Sequence, residues 1–300
     1  SLKKLYFKPH GSGTIGKIWH NHHINFFKFL LNKFKGKIVE IGGGHNSVSE
    51  SINHLNVNNQ YNLISFDPNG KKSFNKNHIC IKNFFSRKLI KKNYREVNLV
   101  IHSHLFEHIY DPNKFLKDIY YSLSEGGYHI FSVPNLKLMI KKGFANAMNF
   151  EHPYFLEEEM IDFLLKKNGF QILEKKKYLN HSIFYKTKKI SRKNKLLKNK
   201  YNNFKKNKKI FINFYKRINQ DIKKINNIIK NLEEVYLFGA HIFSQILISN
   251  GLDSSKIVGI LDNDSKKHNK YLYGSNIKVY SPKILKKKKI TNSNIKGRPI

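Results

Sequence analysis

The sequence predicts an α/β fold: a mostly parallel sheet wrapped by helices, then a smaller α/β unit. Three observations predict it. An apolar run from Lys37 to Ile41 ends in Gly42-Gly43-Gly44 and is followed by a helix-like stretch, His45 to Leu55. A second apolar run, Tyr61 to Phe66, ends in Asp67. After a long charged segment, Val235 to Phe238 again runs into Gly239-Ala240 and a helical stretch. Apolar runs of this length, bounded by glycine and alternating with helical patterns, read as strands of a parallel sheet.

The elements follow in order. Glycines after the first strand let the backbone turn sharply and approach a ligand closely. A carboxylate at the tip of the second strand can accept both hydroxyls of a ribose. His78 to Ile81 reads as a third strand and Val97 to His102 as a fourth, followed by Leu105-Phe106-Glu107-His108-Ile109. Asp111-Pro112-Asn113 is a helix start, with Pro in the first turn. Phe115, Leu116, Ile119, Tyr120 and Leu123 give that helix an apolar face, and Glu125-Gly126-Gly127 is expected to end it. Tyr128 to Val133 is a fifth strand closed by Pro134-Asn135, Leu156 to Leu165 a helix, and His181 to Tyr185 a late strand.

Between Lys35 and Tyr185 this order resembles class I S-adenosylmethionine (SAM) methyltransferases. The resemblance lies in the Glu40-x-Gly42-x-Gly44 turn, Asp67 after strand two, the Glu107-His108-Ile109-x-Asp111-Pro112 run and the Gly-Gly-strand-x-Pro134-Asn135 ending. It implies a Rossmann-like domain with a mostly parallel seven-stranded sheet, and SAM as cofactor. It further implies that Gly42 and Gly44 pass under the methionine part of SAM, with Glu40 near its amino end. Asp67 would hold the ribose hydroxyls, Asn83 and Phe84 would touch adenine, and Ser103 and His104 would border the methionine and the transferred methyl. Asn46 stands where many members have a further glycine, and Asn tolerates left-handed backbone better than most residues. An NAD dehydrogenase shares the opening strand, glycines and acid, but not the later motifs.

Methyl transfer needs a positioned nucleophile and, in many cases, a base. The candidates lie in Asn149 to Phe155. Sugar C-methyltransferases carry a Tyr-His-Glu-His run here, and Glu151 and His152 match its last two positions, while Asn149 and Phe150 depart from it. Imidazole titrates near neutral pH, and a carboxylate beside it would orient the ring and stabilise the imidazolium. His152 with Glu151 is therefore the expected base pair, with Tyr154, His181 and Ser182 lining the acceptor side. The competing reading is a packed helix start. Glu107-His108, a second acid–imidazole pair, is expected to be structural or to line the site.

Four segments are expected: 1–34, a helical lid; 35–185, the methyltransferase domain; 186–232, a Lys/Asn-rich helical linker; and 233–300, a smaller Rossmann-like substrate domain, whole or truncated. Residues 1–34 hold Gly11-Ser12-Gly13-Thr14 and an aromatic-rich helical segment from Trp19 to Phe34. His20, His22 and His23 cluster there, but metal pairs on a helix prefer i and i+4 spacing, so no metal site is expected. In the linker Ile210, Phe211, Phe214, Ile218, Ile222, Ile225, Ile228, Ile229 and Leu232 recur at helical spacing. The last segment continues with a strand, Ile257 to Leu261, then Asp262, and a short hairpin or strand around Gly274 and Ile277 to Val279. It resembles the C-terminal domain of sugar C-methyltransferases. That resemblance leaves two roles open, a packing domain or a pocket for the nucleotide end of a sugar.

The 300 residues carry a net charge of +36, which brings nucleic acid into consideration. The excess is spread along the whole chain as Lys, with Asn and Ile abundant, as an AT-rich coding bias produces. Cys80 is the only cysteine, which excludes a disulfide framework and a cysteine-ligated zinc site and suits a reducing cytoplasm. No apolar run reaches the length of a membrane span, and the N-terminus lacks the apolar core of a signal peptide. The expected partner is a small-molecule acceptor, a nucleotide-linked sugar on the resemblance, with no membrane and with nucleic acid disfavoured. Nucleic-acid methylation and a degenerate, non-catalytic SAM site remain as alternatives. Against the first, the fourth strand ends in His102-Ser103-His104-Leu105, not in Asn/Asp-Pro-Pro-aromatic.

Overall fold

The structure is a computed structural model. It describes residues 17–31, 36–43, 51, 55, 61–70, 76–93, 97–149, 151–191 and 202–287. The chain forms two compact units, Ser1–Leu136 with Phe150–Tyr201, and Lys137–Asn149 with Asn202–Ile300.

The first unit is built on a seven-stranded sheet of order β3-β2-β1-β4-β5-β7-β6. Its strands are β1 (Gly36–Ile41), β2 (Tyr61–Phe66), β3 (His78–Ile81), β4 (Val97–Ser103), β5 (Leu123–Pro134), β6 (Phe170–Tyr178) and β7 (Ser182–Lys189). The first five run parallel, and β7 lies antiparallel between β5 and β6. The α/β class and the mostly parallel seven-stranded sheet are therefore as the sequence predicts. Sequence order reverses between β1 and β4, which puts a topological switch point outside their carboxyl ends. Gly42, Asp67, Ser103 and His104 all follow the ends of these parallel strands.

Successive strand residues alternate between two cores. Ile38, Leu63, Leu99, Ile101 and Ile130 pack with Phe26, Phe27, Phe29 and Leu30 of α1 (Lys17–Leu31). Val39, Ile41, Ile64, Val100 and Phe131 pack with Phe115, Leu116 and Ile119 of α3 (Pro112–Ser122), which follows α2 (Arg87–Asn93), and with residues after β5. Strands buried on both faces read as continuous apolar runs, which is why β1, β2 and β4 were legible. Asp111 caps α3 by accepting the Lys114 N–H at 2.9 Å.

Several boundaries differ from expectation. The α3 helix stops at Ser122, and Leu123, expected on its apolar face, is extended and pairs with Val97 through a bulge. Gly126 and Gly127 lie inside β5, not at a helix end. The strand expected to end at Tyr185 runs on to Lys189, because β7 is paired on both sides along that length. Lys189 is buried there, donating to the Leu123 carbonyl and pairing with Glu125. Edge strand β6 is not announced by apolar patterning, since its lysines face water; such residues blunt an open edge. The helix expected from Leu156 is α5 (Glu158–Lys167); a shorter helix, α4 (Leu136–Lys141), precedes it.

In the second unit, α6 (Phe204–Ile229) buries Phe214, Ile218, Ile222 and Ile229. Ile228 is exposed, and Leu232 falls beyond the helix end. A three-stranded parallel sheet follows, of order β10-β9-β8, from β8 (Val235–Phe238), β9 (Ile257–Leu261) and β10 (Val279–Tyr280). Gly239 takes φ 104° in the turn into α7 (Ile242–Ser249). The Asp262 carboxylate ties this unit together: it accepts from Ala240 N, Asp264 N and Lys267 Nζ.

His102 and His129 sit inside the main sheet with Nε2 to Nε2 at 3.0 Å, between Phe131 and the neighbouring rings. Burial holds both well below the ordinary imidazole range, His129 at about 3. One ring donates and the other accepts, so both stay neutral. Unfolding frees them to take protons below pH 6.5, so stability is full above that and is lost as pH falls toward 3. Replacing both with Leu leaves no orphaned partner. The double variant is expected to lose less stability on going from pH 7 to pH 4, by about 3 kcal/mol per histidine at most. Urea unfolding at the two pH values measures this; an equal loss in both proteins contradicts it.

Candidate active site

At the end of β1 the chain turns through Gly42, which has φ 80° and donates to the Phe66 carbonyl at 2.8 Å. A side chain is barred at the next position. A Cβ on Gly43 would lie 2.5 Å from Glu40 Oε2 and 3.0 Å from Ser65 Cβ. Gly43, not singled out from sequence, is therefore the glycine that leaves room for the Glu40 carboxylate. Gly44 and Asn46 lie outside the described residues, as does the helix start expected at His45.

Glu40 is 3% exposed, and its Oε2 has no hydrogen-bond partner among the described residues. Burial, and secondarily the Asp67 charge, push its pKa up to about 8. Asp67 holds the β2 tip: its Oδ1 accepts the Asn69 N–H at 2.7 Å, while its own N–H donates to the Ile81 carbonyl. Asn83 and Phe84 follow β3, with Phe84 N–H donating to Asn83 Oδ1 at 2.8 Å; Asn83 is exposed and Phe84 half-buried.

At the β4 tip, the Ser103 hydroxyl meets the Ser132 hydroxyl at 2.7 Å. His104 has φ 48° and donates its N–H to the Ser132 carbonyl. Its ring is held on both sides, by Glu107 Oε1 at 3.4 Å from Nδ1 and by Ser182 Oγ at 2.8 Å from Nε2. Ser182 also meets His181 Nδ1 at 2.6 Å. Two sequence-distant candidates, His104 and the His181-Ser182 pair, are thus one hydrogen-bonded group. Trp19 of α1 packs edge-on against His104 and His181, with centroids 4.8 and 4.6 Å away.

In the expected base pair, Glu151 lies against His108: His108 Nδ1 is 3.8 Å from Glu151 Oε2 and 3.2 Å from the Glu151 carbonyl. The His152 ring packs edge-on against His108 at 4.8 Å. The carboxylate grouped with His152 is Glu107, since polar atoms of Glu107, His108 and His152 lie within 4.8 Å of one another. Both Glu151 and His152 thus meet the Glu107-His108 turn, which the sequence reading expects to be structural or to line the site. Burial raises the Glu107 pKa. Tyr154 is exposed beyond this group.

The residues around Glu40 suit SAM. A buried carboxylate oxygen lacking a partner fits an ammonium group, and the Gly42-Gly43 turn lets a ligand come close to backbone. Asp67 at the next strand tip fits a ribose.

The family profile described as "Methyltransferase domain" matches residues 21–175, a little over half of the chain. Solved structures of similar fold include a SAM-dependent methyltransferase from Archaeoglobus fulgidus, 15% identical, with a TM-score of 0.43 over 57% of this chain and 94% of that one. Another is a SAM-dependent methyltransferase from Mesorhizobium loti, 11% identical, TM-score 0.40, covering 54% and 95%. A third is magnesium protoporphyrin IX methyltransferase from Synechocystis PCC 6803 with bound SAH, 12% identical, TM-score 0.44, covering 63% and 92%. No curated protein matches the sequence significantly. Among the described residues, no helix is long and apolar enough to cross a membrane. With the profile spanning the strand tips that carry Glu40, Asp67 and His104, the chain belongs to the methyltransferase-domain family, and SAM is its cofactor.

Proposed function

We propose that this protein methylates a small-molecule acceptor, a nucleotide-linked sugar used in polysaccharide or natural-product assembly in the cytoplasm, at oxygen or carbon. The observation that carries the reading is the buried Glu40 carboxylate beneath Gly43, one strand from Asp67, inside the region that matches the family. The acceptor class rests on the sugar C-methyltransferase resemblance of the Glu151-His152 region. The second unit is offered as the substrate domain. Its Asp262 is already engaged by its own backbone and Lys267, so any ligand there would be held by other groups.

When bound, SAM would supply an electrophilic methyl group and leave as S-adenosylhomocysteine. Glu40 would hold its ammonium end, directly or through water, and Asp67 its ribose hydroxyls, with Asn83 and Phe84 beside adenine. His152 would accept the proton of the acceptor atom, and the Glu107 carboxylate would stabilise the imidazolium formed. Glu151 positions His108 beside it. Proton removal of this kind contributes about 10²- to 10⁴-fold.

Calorimetry of SAM binding tests the cofactor site. The wild type is expected to bind in the micromolar range, and Asp67→Ala to weaken binding roughly tenfold or more, as losing hydrogen bonds to a charged group does. Absence of SAM binding by the wild type overturns the reading. His152→Ala should lower methyl transfer by about 10²-fold or more with SAM affinity unchanged, measured once nucleotide-sugar screening has given an acceptor; full activity removes His152 from the base role.

Glu40 has a signed pH consequence. Its folded pKa of about 8 exceeds the ordinary 4.5, so its contribution is fully present below pH 4.5 and is lost as pH rises through 8. Ligand-free Glu40→Gln is therefore expected to lose less stability than wild type between pH 5 and 8, by a few kcal/mol, on the order of the shift. It should also bind SAM more weakly. Parallel thermal melts over that range decide the first point.

A further inference from the structure

His22 of α1 is fully buried, and neither of its ring nitrogens has a hydrogen-bond partner among the described residues. An imidazole with two orphaned polar atoms in a core is a costly arrangement. Its surroundings explain it. His104 at the β4 tip and His181 just before β7 face the same spot, with ring centroids 5.1 and 5.4 Å from that of His22. One nitrogen from each of the three lies within 4.8 Å of the other two. Among the described residues, this is one of two groups that bring three ligand-type side chains so close.

We infer that His22, His104 and His181 form a binding site for a single divalent transition ion, zinc being the best fit, which fastens α1 to the tips of β4 and β7. Three neutral nitrogen donors select zinc, cobalt, nickel or copper, whereas magnesium and calcium need oxygen. Burial disfavours the charged form of all three rings, which leaves them neutral and able to ligate. Metal–nitrogen bonds of about 2.0–2.1 Å in a tetrahedral site put ligand nitrogens ~3.3 Å apart. The rings therefore close in by roughly an ångström or so, within reach of side-chain rotation.

The surroundings supply what such a site needs. Glu107 Oε1 lies 3.4 Å from His104 Nδ1 and fixes that ring with Nε2 pointing away from the carboxylate. A carboxylate behind a ligating imidazole is the usual support for a metal, and it offsets part of the ion's charge in a strongly basic chain. Ser182 Oγ touches both His181 Nδ1 and His104 Nε2, so one hydroxyl already holds two of the rings together, and it gives way where a ring nitrogen turns to the ion. Trp19 covers the group with its ring edge. Three protein ligands leave one coordination position open. The other group, Glu107 with His108 and His152, is less suited, because His108 is already taken by Glu151.

The site was hidden in sequence because its ligands stand 82 and 77 positions apart. Of the three histidines at the start of α1, only His22 joins it, and the spacing argument against a metal concerned ligands on one helix alone.

The test is zinc and cobalt binding to the chelator-stripped full chain, read by competition with a chromophoric chelator and by the visible absorption of bound cobalt. It needs neither SAM nor acceptor. The expected result is one equivalent bound by the wild type and by His20→Ala, the control on the same helix. His22→Ala and His181→Ala should each weaken binding roughly tenfold or more. His181 lies in a turn, so its variant remains informative if loss of His22 unfolds α1, which circular dichroism reports. Zinc should also raise the melting temperature of the wild type but not of His181→Ala. No stoichiometric binding by the wild type overturns the inference. So does binding that survives both variants and is lost in His152→Ala, which places the ion at the other group.

Discussion

The Glu40 carboxylate is the constraint on which the first unit turns. It is buried at the end of a central strand, where an ionised carboxylate is costly unless something pays in charge or hydrogen bonds. The fold accommodates it only because Gly43 has no side chain and Ser65 on the adjacent strand is small. A protein selected for stability alone would place an apolar residue there, as Val39 and Ile41 on either side show. On the proposed reading, a cationic ligand group would offset the cost of burying this carboxylate. Stability and cofactor affinity are thus linked through one side chain, and the linkage runs in opposite directions for the empty and the loaded protein.

Histidine has the parallel role on the acceptor side of β4. Five imidazoles from α1, the end of β4 and its following turn, the Glu151-His152 loop and the turn before β7 come together in two linked groups. Glu107 joins them, touching His104 on one side and grouping with His108 and His152 on the other. A buried carboxylate between imidazoles can stabilise a proton or an ion arriving at either group. The proposed proton-accepting and ion-binding roles therefore share one electrostatic resource, and losing Glu107 would disturb both.

What the sequence made legible follows from local physics. Strands β1, β2, β3 and β9 are short apolar runs punctuated by Gly, Asp or Asn, and their limits read directly. The capped start of α3 at Asp111-Pro112 reads equally well. The end of α3 did not, because Leu123 is apolar whether it finishes a helix or begins a strand, and only pairing with Val97 decides. Edge strand β6 was hidden by lysines that face water. At the site, single residues on strand tips were placed by motif order. Pairings were not, because they depend on which loops meet: Glu151 lies against His108, a contact that no local pattern announces. Gly43 went unnoticed because a steric requirement inside a glycine run leaves no trace in residue type.

The charge of the chain bears on the acceptor. Among the described residues, the tips of β1, β2 and β4 and the turns beside them carry Glu40, Asp67, Glu107, Glu151 and several histidines. The lysines of β6 and α6 are exposed. A groove that follows a nucleic-acid backbone places its cations where the strand passes. A small-molecule acceptor, as proposed, would instead meet a centre of carboxylates and imidazoles. The same reasoning constrains a nucleotide-linked acceptor: its diphosphate would be held away from the reacting centre, leaving the imidazoles to contact the sugar. On the proposed reading the centre would handle a hydroxyl or an activated C–H, and recognition of the acceptor's charged end would fall to residues outside it.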